Sequence, residues 1–200
     1  MITATIVKSR YKYQSLPADY LLVIGTASSV WDELSWWSST FGYINCHVMA
    51  INDMCAHYPY KLDHCVSLHP KLLIAAKLIR EARLLNTSYI SHTIEGQPDA
   101  NEADLVWTIS GMCGSSAMFA CILGIKMKYK KIILAGCPLD CSGHFFSKPG
   151  LTTHFGNSDS LKLCWSRMKA EILLDSVRSM SGWSMELLGG PPTEKWLEVK

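Results

Sequence analysis

"LLVIGTASSV", residues 21–30, decides the fold. Four apolar residues run into Gly25, then into Thr26, Ala27, Ser28 and Ser29. Helical spacing then sets in at Val30, Leu34 and Trp37. A strand apolar on both faces belongs inside a parallel sheet, and a turn of small residues leads it into a covering helix. The turn admits two readings. Small residues let a backbone approach a ligand, with the helix N-terminus offering unpaired N–H groups to phosphate. They also make a tight strand-to-helix turn with Ser28 or Ser29 as cap.

Outward from this stretch the pattern repeats. "INCHVMAIN" (44–52), "LDHCVSL" (62–68), "TSYISHT" (87–93), "LVWTIS" (105–110) and "KKIILAG" (130–136) read as strands. Between them, Pro70 opens a helix with Leu72, Ala75, Ala76, Ile79 and Ala82 on one face and Lys77, Arg80 and Arg83 on the other. Residues 115–127 form an almost wholly apolar, hence buried, helix. Residues 161–180 return to helical spacing, and "WSMELL" (183–188) closes the pattern as a last strand. Strands alternating with helices give an α/β chain: a single Rossmann-like three-layer domain, 1–200, with a mainly parallel sheet. Residues 1–18 read as an N-terminal extension and 137–158 as a long functional loop.

Composition narrows the function. A net charge of +2 gives no electrostatic case for nucleic acid or an anionic membrane, and no apolar run reaches the length of a span. The basic stretches "KSRYKY" (8–13) and Lys126, Lys128, Lys130 and Lys131 read as solvated faces. The eight cysteines are scattered through apolar segments, as buried thiols rather than a disulfide scaffold, and the cytoplasm is the expected location. Cys137, Cys141 and His144 offer three ligands to zinc, but a fourth is missing, so no metal is expected. Nothing in the sequence sets the oligomeric state, and a homo-oligomer stays open.

In parallel sheets ligands sit beyond the carboxyl ends of the strands. That rule selects Gly25 to Ser29, Asn52 and Asp53, His69, Ser110 to Ser116, and Gly136 to His144, and within these Gly25, Thr26, Ser28, Ser29, Asn52, His69, Gly114, Ser115, Ser116, Asp140 and His144 are the candidates. Asn52 is placed to bond a base or ribose, or simply to form a turn. Ser115 and Ser116 are placed to donate to phosphate, or to cap a helix. Asp140 suits a hydroxyl or metal, or an Asx turn.

Several of these pieces share one known arrangement. "VIGTASSVWDEL" resembles the first loop of the bacterial CMP-sialic-acid-dependent sialyltransferases and of the related motility-accessory-factor and hydroxymethylpterin-pyrophosphokinase-like proteins. "MAIND" resembles their second strand, which ends in an Asn near the nucleotide. "CGSSAMFACILGIKMKYKKIILAGCPLD" resembles their Gly/Ser turn, buried helix and following strand, and "HFGNSD" (154–159) resembles the stretch around the sialyltransferase catalytic histidine. The chain differs in carrying Ala27 and Ser28 where the family has Gly and Pro. Pro138 and Leu139 displace the acidic residue, and the donor-clamping tyrosines have no counterpart after Asp140.

The resemblance implies a nucleotide-dependent transferase of glycosyltransferase type, taking a nucleotide-sugar donor and a hydroxyl acceptor. His154 is then the expected general base, with His144 and Asp140 as the other catalytic candidates. The same likeness leaves two alternatives: a pyrophosphokinase-like enzyme using ATP and Mg held by Asp53 or Asp140, or a nucleotide-binding protein without catalysis.

Overall fold

The computed structural model describes residues 2–10, 18–148 and 159–198. In chain order the strands are β1 (Ala4–Ser9), β2 (Tyr20–Ile24), β3 (Cys46–Ile51), β4 (His64–Val66), β5 (Ile90–Ile94), β6 (Leu105–Ile109), β7 (Lys131–Ala135) and β8 (Val177–Ser179). The helices are α1 (Val30–Phe41), α2 (Met54–His57), α3 (Pro70–Ala82), α4 (Ser116–Lys126), α5 (Asp159–Met168), α6 (Gly182–Leu187) and α7 (Glu194–Leu197). A π-helical turn, Lys169–Leu173, continues α5.

The sheet order is β1-β6-β5-β4-β3-β2-β7-β8. Every neighbouring pair is parallel except β1, which runs antiparallel to β6. The chain therefore steps outward from β2 to β6, then returns through α4 to place β7 on the other side of β2. That reversal creates a switch point between β2 and β7. One face of the sheet packs Val30, Trp37 and Phe41 of α1 with residues of α2 and α3; the other packs α4, Trp165 and Leu188. The result is the expected three-layer α/β fold. α4 is buried along most of its length because it crosses the sheet, which is why its sequence shows no polar face.

The structure corrects four local expectations. The segment read as an N-terminal extension supplies an edge strand, β1. Val48, in a strand whose apolar run predicts burial, is only half-buried, unlike Leu21, Val23, Ile132 and Ile133, and lines an open groove with Leu34 and Trp37 of α1. Helical spacing after Leu161 ends early: "VRS" pairs with β7 as β8, and "WSMELL" falls within the short helix α6. On α3 the inward residues are Pro70, Leu73, Ala76 and Arg80, while Leu78 and Ile79 face out.

Arg80 is wholly buried, with no carboxylate paired to it among the described residues. Its guanidinium donates to the carbonyls of Asn86 (2.7 Å), Cys55 (3.2 Å), Tyr58 (2.6 Å) and Tyr60 (2.9 Å). The planar fork thus replaces its hydration shell with backbone oxygen and ties the irregular chain after α2 to α3.

A second polar chain crosses the opposite face. Trp107 Nε1 donates to His92 Nδ1 at 3.2 Å, and an indole N–H can only donate. His92 must then carry its proton on Nε2, which meets His64 Nδ1 at 2.9 Å. His64 in turn gives its Nε2 proton to the Tyr129 hydroxyl at 3.0 Å, and that hydroxyl meets His47 Nδ1 at 2.6 Å. Burial holds His64 down at about 4 and keeps His92 well below the ordinary histidine range, so both rings are neutral.

Candidate functional site

A cleft of about 280 Å³ opens at the switch point. The carboxyl ends of β2, β3 and β7 and the start of α4 form its walls. It gathers Gly25, Thr26, Asn52, His69, Gly114, Ser115, Ser116, Asp140 and His144.

The floor depends on two glycines. A Cβ at Gly25 would stand 2.3 Å from the Gly136 carbonyl oxygen and 2.6 Å from Cys137 Sγ. Gly136 has φ +63°, and a Cβ there would lie 2.7 Å from Val30 Cβ. Only glycine lets the two strand ends cross this closely. Glu33, which is buried, locks the crossing: its Oε2 accepts the Gly136 amide at 2.7 Å, and its Oε1 accepts the hydroxyls of Ser29 (2.5 Å) and Ser181 (2.6 Å). Sequence reading missed Glu33; its signal is an acidic residue in the first turn of α1, four positions after Ser29.

The first turn is occupied by the protein itself. Gly25, Ala27 and Ser28 donate their amides to the carbonyls of Ala135 (2.8 Å), Gly136 (3.1 Å) and Gly143 (2.9 Å). Ser28 is exposed and does not line the cleft, and Ser29 is turned to Glu33. The helix-end donors beside the cleft come from α4. Ser115 caps that helix, its Oγ accepting the Met118 amide at 3.3 Å. The amides of Ser116 and Ala117 stand ahead of any carbonyl of α4, at the positive end of its dipole, and both residues line the cleft.

Asn52 sits at the end of β3 with φ +50°, a left-handed conformation that Asn tolerates. Its Oδ1 accepts the hydroxyls of Ser67 (2.9 Å) and Ser116 (3.0 Å), which leaves the Nδ2 hydrogens without a partner among the described residues. His69 is exposed at the N-cap of α3, its amide bonded to Ser67 Oγ at 3.0 Å. Asp140 Oδ1 accepts the Ser142 amide at 2.8 Å in an Asx turn.

His144 closes the cleft opposite α4. The loop carrying it pairs with the first turn through an antiparallel bridge, Ala27 to His144, and through the Phe145 amide on the Thr26 carbonyl at 2.9 Å. Thr26 Oγ1 lies 2.7 Å from His144 Nδ1. The imidazole stacks on Phe146 at 5.2 Å, and Phe146 stacks in turn on His57 at 5.2 Å. Sequence reading missed Thr26 as the partner of His144, since 118 positions separate them.

His154, with the rest of 149–158, lies outside the described residues. Of the two carboxylates that a bound magnesium would call on, Asp140 lines the cleft and Asp53 does not. No lysine or arginine lines it among the described residues. Cys137 and Cys141 are free thiols, as are the other six, and no group of three His, Cys, Asp or Glu suited to a metal occurs among the described residues. No helix among them is long and apolar enough to cross a membrane. A wider groove of about 740 Å³, lined by Trp31, Trp37, Tyr58 and Tyr60, runs along α1, and none of its lining side chains is charged. No protein-family model matches the chain, and neither a curated protein nor a solved structure matches it.

Proposed function

We propose that the chain is a nucleotide-dependent transferase of glycosyltransferase type, acting on a nucleotide-sugar donor and a hydroxyl acceptor in the switch-point cleft. One observation carries the reading: the first-turn amides of α4 and the Thr26–His144 pair line the same cleft. Phosphate oxygens fit the Ser116 and Ala117 amides at the positive end of the helix dipole and the Asn52 Nδ2 beside them, all neutral donors. With its Nδ1 proton given to Thr26 Oγ1, His144 presents Nε2 as the base that takes the acceptor's proton. His154 lies outside the described residues, and the reading rests on His144 as base.

Melting the full chain with CMP- and UDP-sugars, and separately with ATP and magnesium, tests this. A ligand at a hundred times its Kd stabilises the native state by about 2.7 kcal/mol. The nucleotide-sugars should raise Tm without metal, and mass spectrometry should then show donor turnover with a hydroxyl acceptor. Stabilisation by ATP and magnesium alone would move the assignment to pyrophosphoryl transfer, and a bound donor left intact would make the chain a nucleotide binder.

A further inference from the structure

Three sulfur atoms meet beside the cleft, on the buried side of the turn before α4. Cys113 Sγ lies 3.6 Å and Cys164 Sγ 3.8 Å from Met118 Sδ. Both thiols thus reach the same thioether, so the three sulfurs converge on one spot. They come from separate parts of the fold: the loop after β6, the first turn of α4, and α5. Met118 is wholly buried and both cysteines are half-buried.

Buried cysteines commonly serve as small hydrophobes. That role needs no convergence of sulfur on sulfur, nor two thiols aimed at one thioether. A metal held by three sulfurs at the usual metal–thiolate length of about 2.3 Å sets them about 4 Å apart. The two thiol–thioether distances need open by only a few tenths of an ångström. Thiolate and thioether are soft donors, which select Cu(I) among biological metals, whereas zinc asks for four nitrogen or sulfur ligands in a tetrahedron.

We propose that Cys113, Met118 and Cys164 form a soft-metal site that takes one Cu(I) ion in trigonal coordination. Binding forms three Cu–S bonds and breaks two S–H bonds. Two protons leave to solvent, no electron moves, and the site ends with one negative charge. Arg167 is placed to balance that charge. It stands three residues after Cys164, on the same helical face, and its guanidinium donates to the Gly111 carbonyl at 2.9 Å, two residues before Cys113. The site is independent of what the cleft binds.

The test is an anaerobic titration of the reduced full chain with Cu(I), in competition with a chromophoric chelator. One Cu(I) per chain is expected, with a sulfur-only shell at about 2.3 Å in X-ray absorption. Cys164→Ser at its half-buried position, and the volume-conserving Met118→Leu, should each weaken binding at least tenfold, the lower end of what even outer-shell changes do to a metal site (about 10–100-fold). Cys46→Ser, remote from the three sulfurs, should leave it unchanged. Absence of uptake would overturn the proposal, as would equal affinity in a folded Cys164→Ser protein. A Cys113–Cys164 disulfide forming in place of copper uptake would also overturn it and assign the pair to redox chemistry.

Discussion

Thr26 and His144 show how much of a mechanism rests on one contact. The hydroxyl 2.7 Å from Nδ1 holds the ring in place, and in the proposed reaction it accepts the Nδ1 proton and leaves Nε2 free as the base. His144→Ala should therefore lower turnover by roughly a hundredfold or more, the scale of losing a general base, with little change in donor affinity. Thr26→Val, which keeps the shape and removes the hydroxyl, should lower kcat in the same direction, and Thr26→Ser should restore it. Steady-state kinetics that separate kcat from KM decide this; an unchanged kcat in His144→Ala would remove the residue from the chemistry.

The buried histidines make a second prediction at this scale. Folded His64 titrates at about 4 rather than its ordinary 6.5, and His92 lies lower still than that ordinary value. In the unfolded chain both take a proton near 6.5, so below that pH the unfolded state binds more protons and stability falls as pH falls. Urea unfolding at pH 7.5 and 5.5 should show a loss of about 2–3 kcal/mol from the two rings together. Carboxylates titrate mostly below that window. A flat profile across it would mean that the chain from Trp107 to Tyr129 opens to water.

At the scale of elements, the misread pieces have physical explanations. The face of α3 was assigned on the rule that arginine faces solvent. Arg80 breaks the rule because four carbonyls surround it, and they come from α2, the irregular chain after it and the turn after α3, a convergence that no periodicity describes. Arg80→Met should cost about 3 kcal/mol or more, since it leaves buried carbonyls unpaired, and Arg80→Lys should recover only part of that because an ammonium cannot span the fork. The strand at 177–179 was hidden for a related reason. Its three residues are too few to show alternation beside a helical pattern that precedes them.

The turns between elements were easier to read. Gly25 and the residues after it announced a close backbone approach, although the partner is Gly136 of the protein itself. Gly136→Ala should destabilise the fold by about 1–3 kcal/mol, from its positive φ and its contact with Val30. Denaturant midpoints check both variants; a neutral Gly136→Ala would mean that the β2 and β7 ends can separate.

At the scale of the whole molecule, the α/β class was legible because strands apolar on both faces alternate with helices. The strand order was not, since nothing local records that β7 returns to the far side of β2. Yet that return is what turns scattered loop residues into one cleft. Most of the candidates chosen for lying at strand ends do line it, because turn composition marks those ends. Their pairings escaped notice because Thr26 with His144, and Asn52 with Ser116, join distant parts of the chain.

The central claim is that this cleft, fed by the α4 N-terminus, binds the phosphate of a nucleotide. An amide chemical-shift titration of the labelled full chain with CMP and a CMP-sugar tests it most directly. Saturable shifts should concentrate at Thr26, Gly114, Ser116, Ala117 and His144. They should vanish in Ser116→Trp, which fills the cleft, and persist in Ser28→Trp, whose side chain is exposed outside it. Shifts centred on the groove of Trp31 and Tyr60, or equal binding by Ser116→Trp, would contradict the claim.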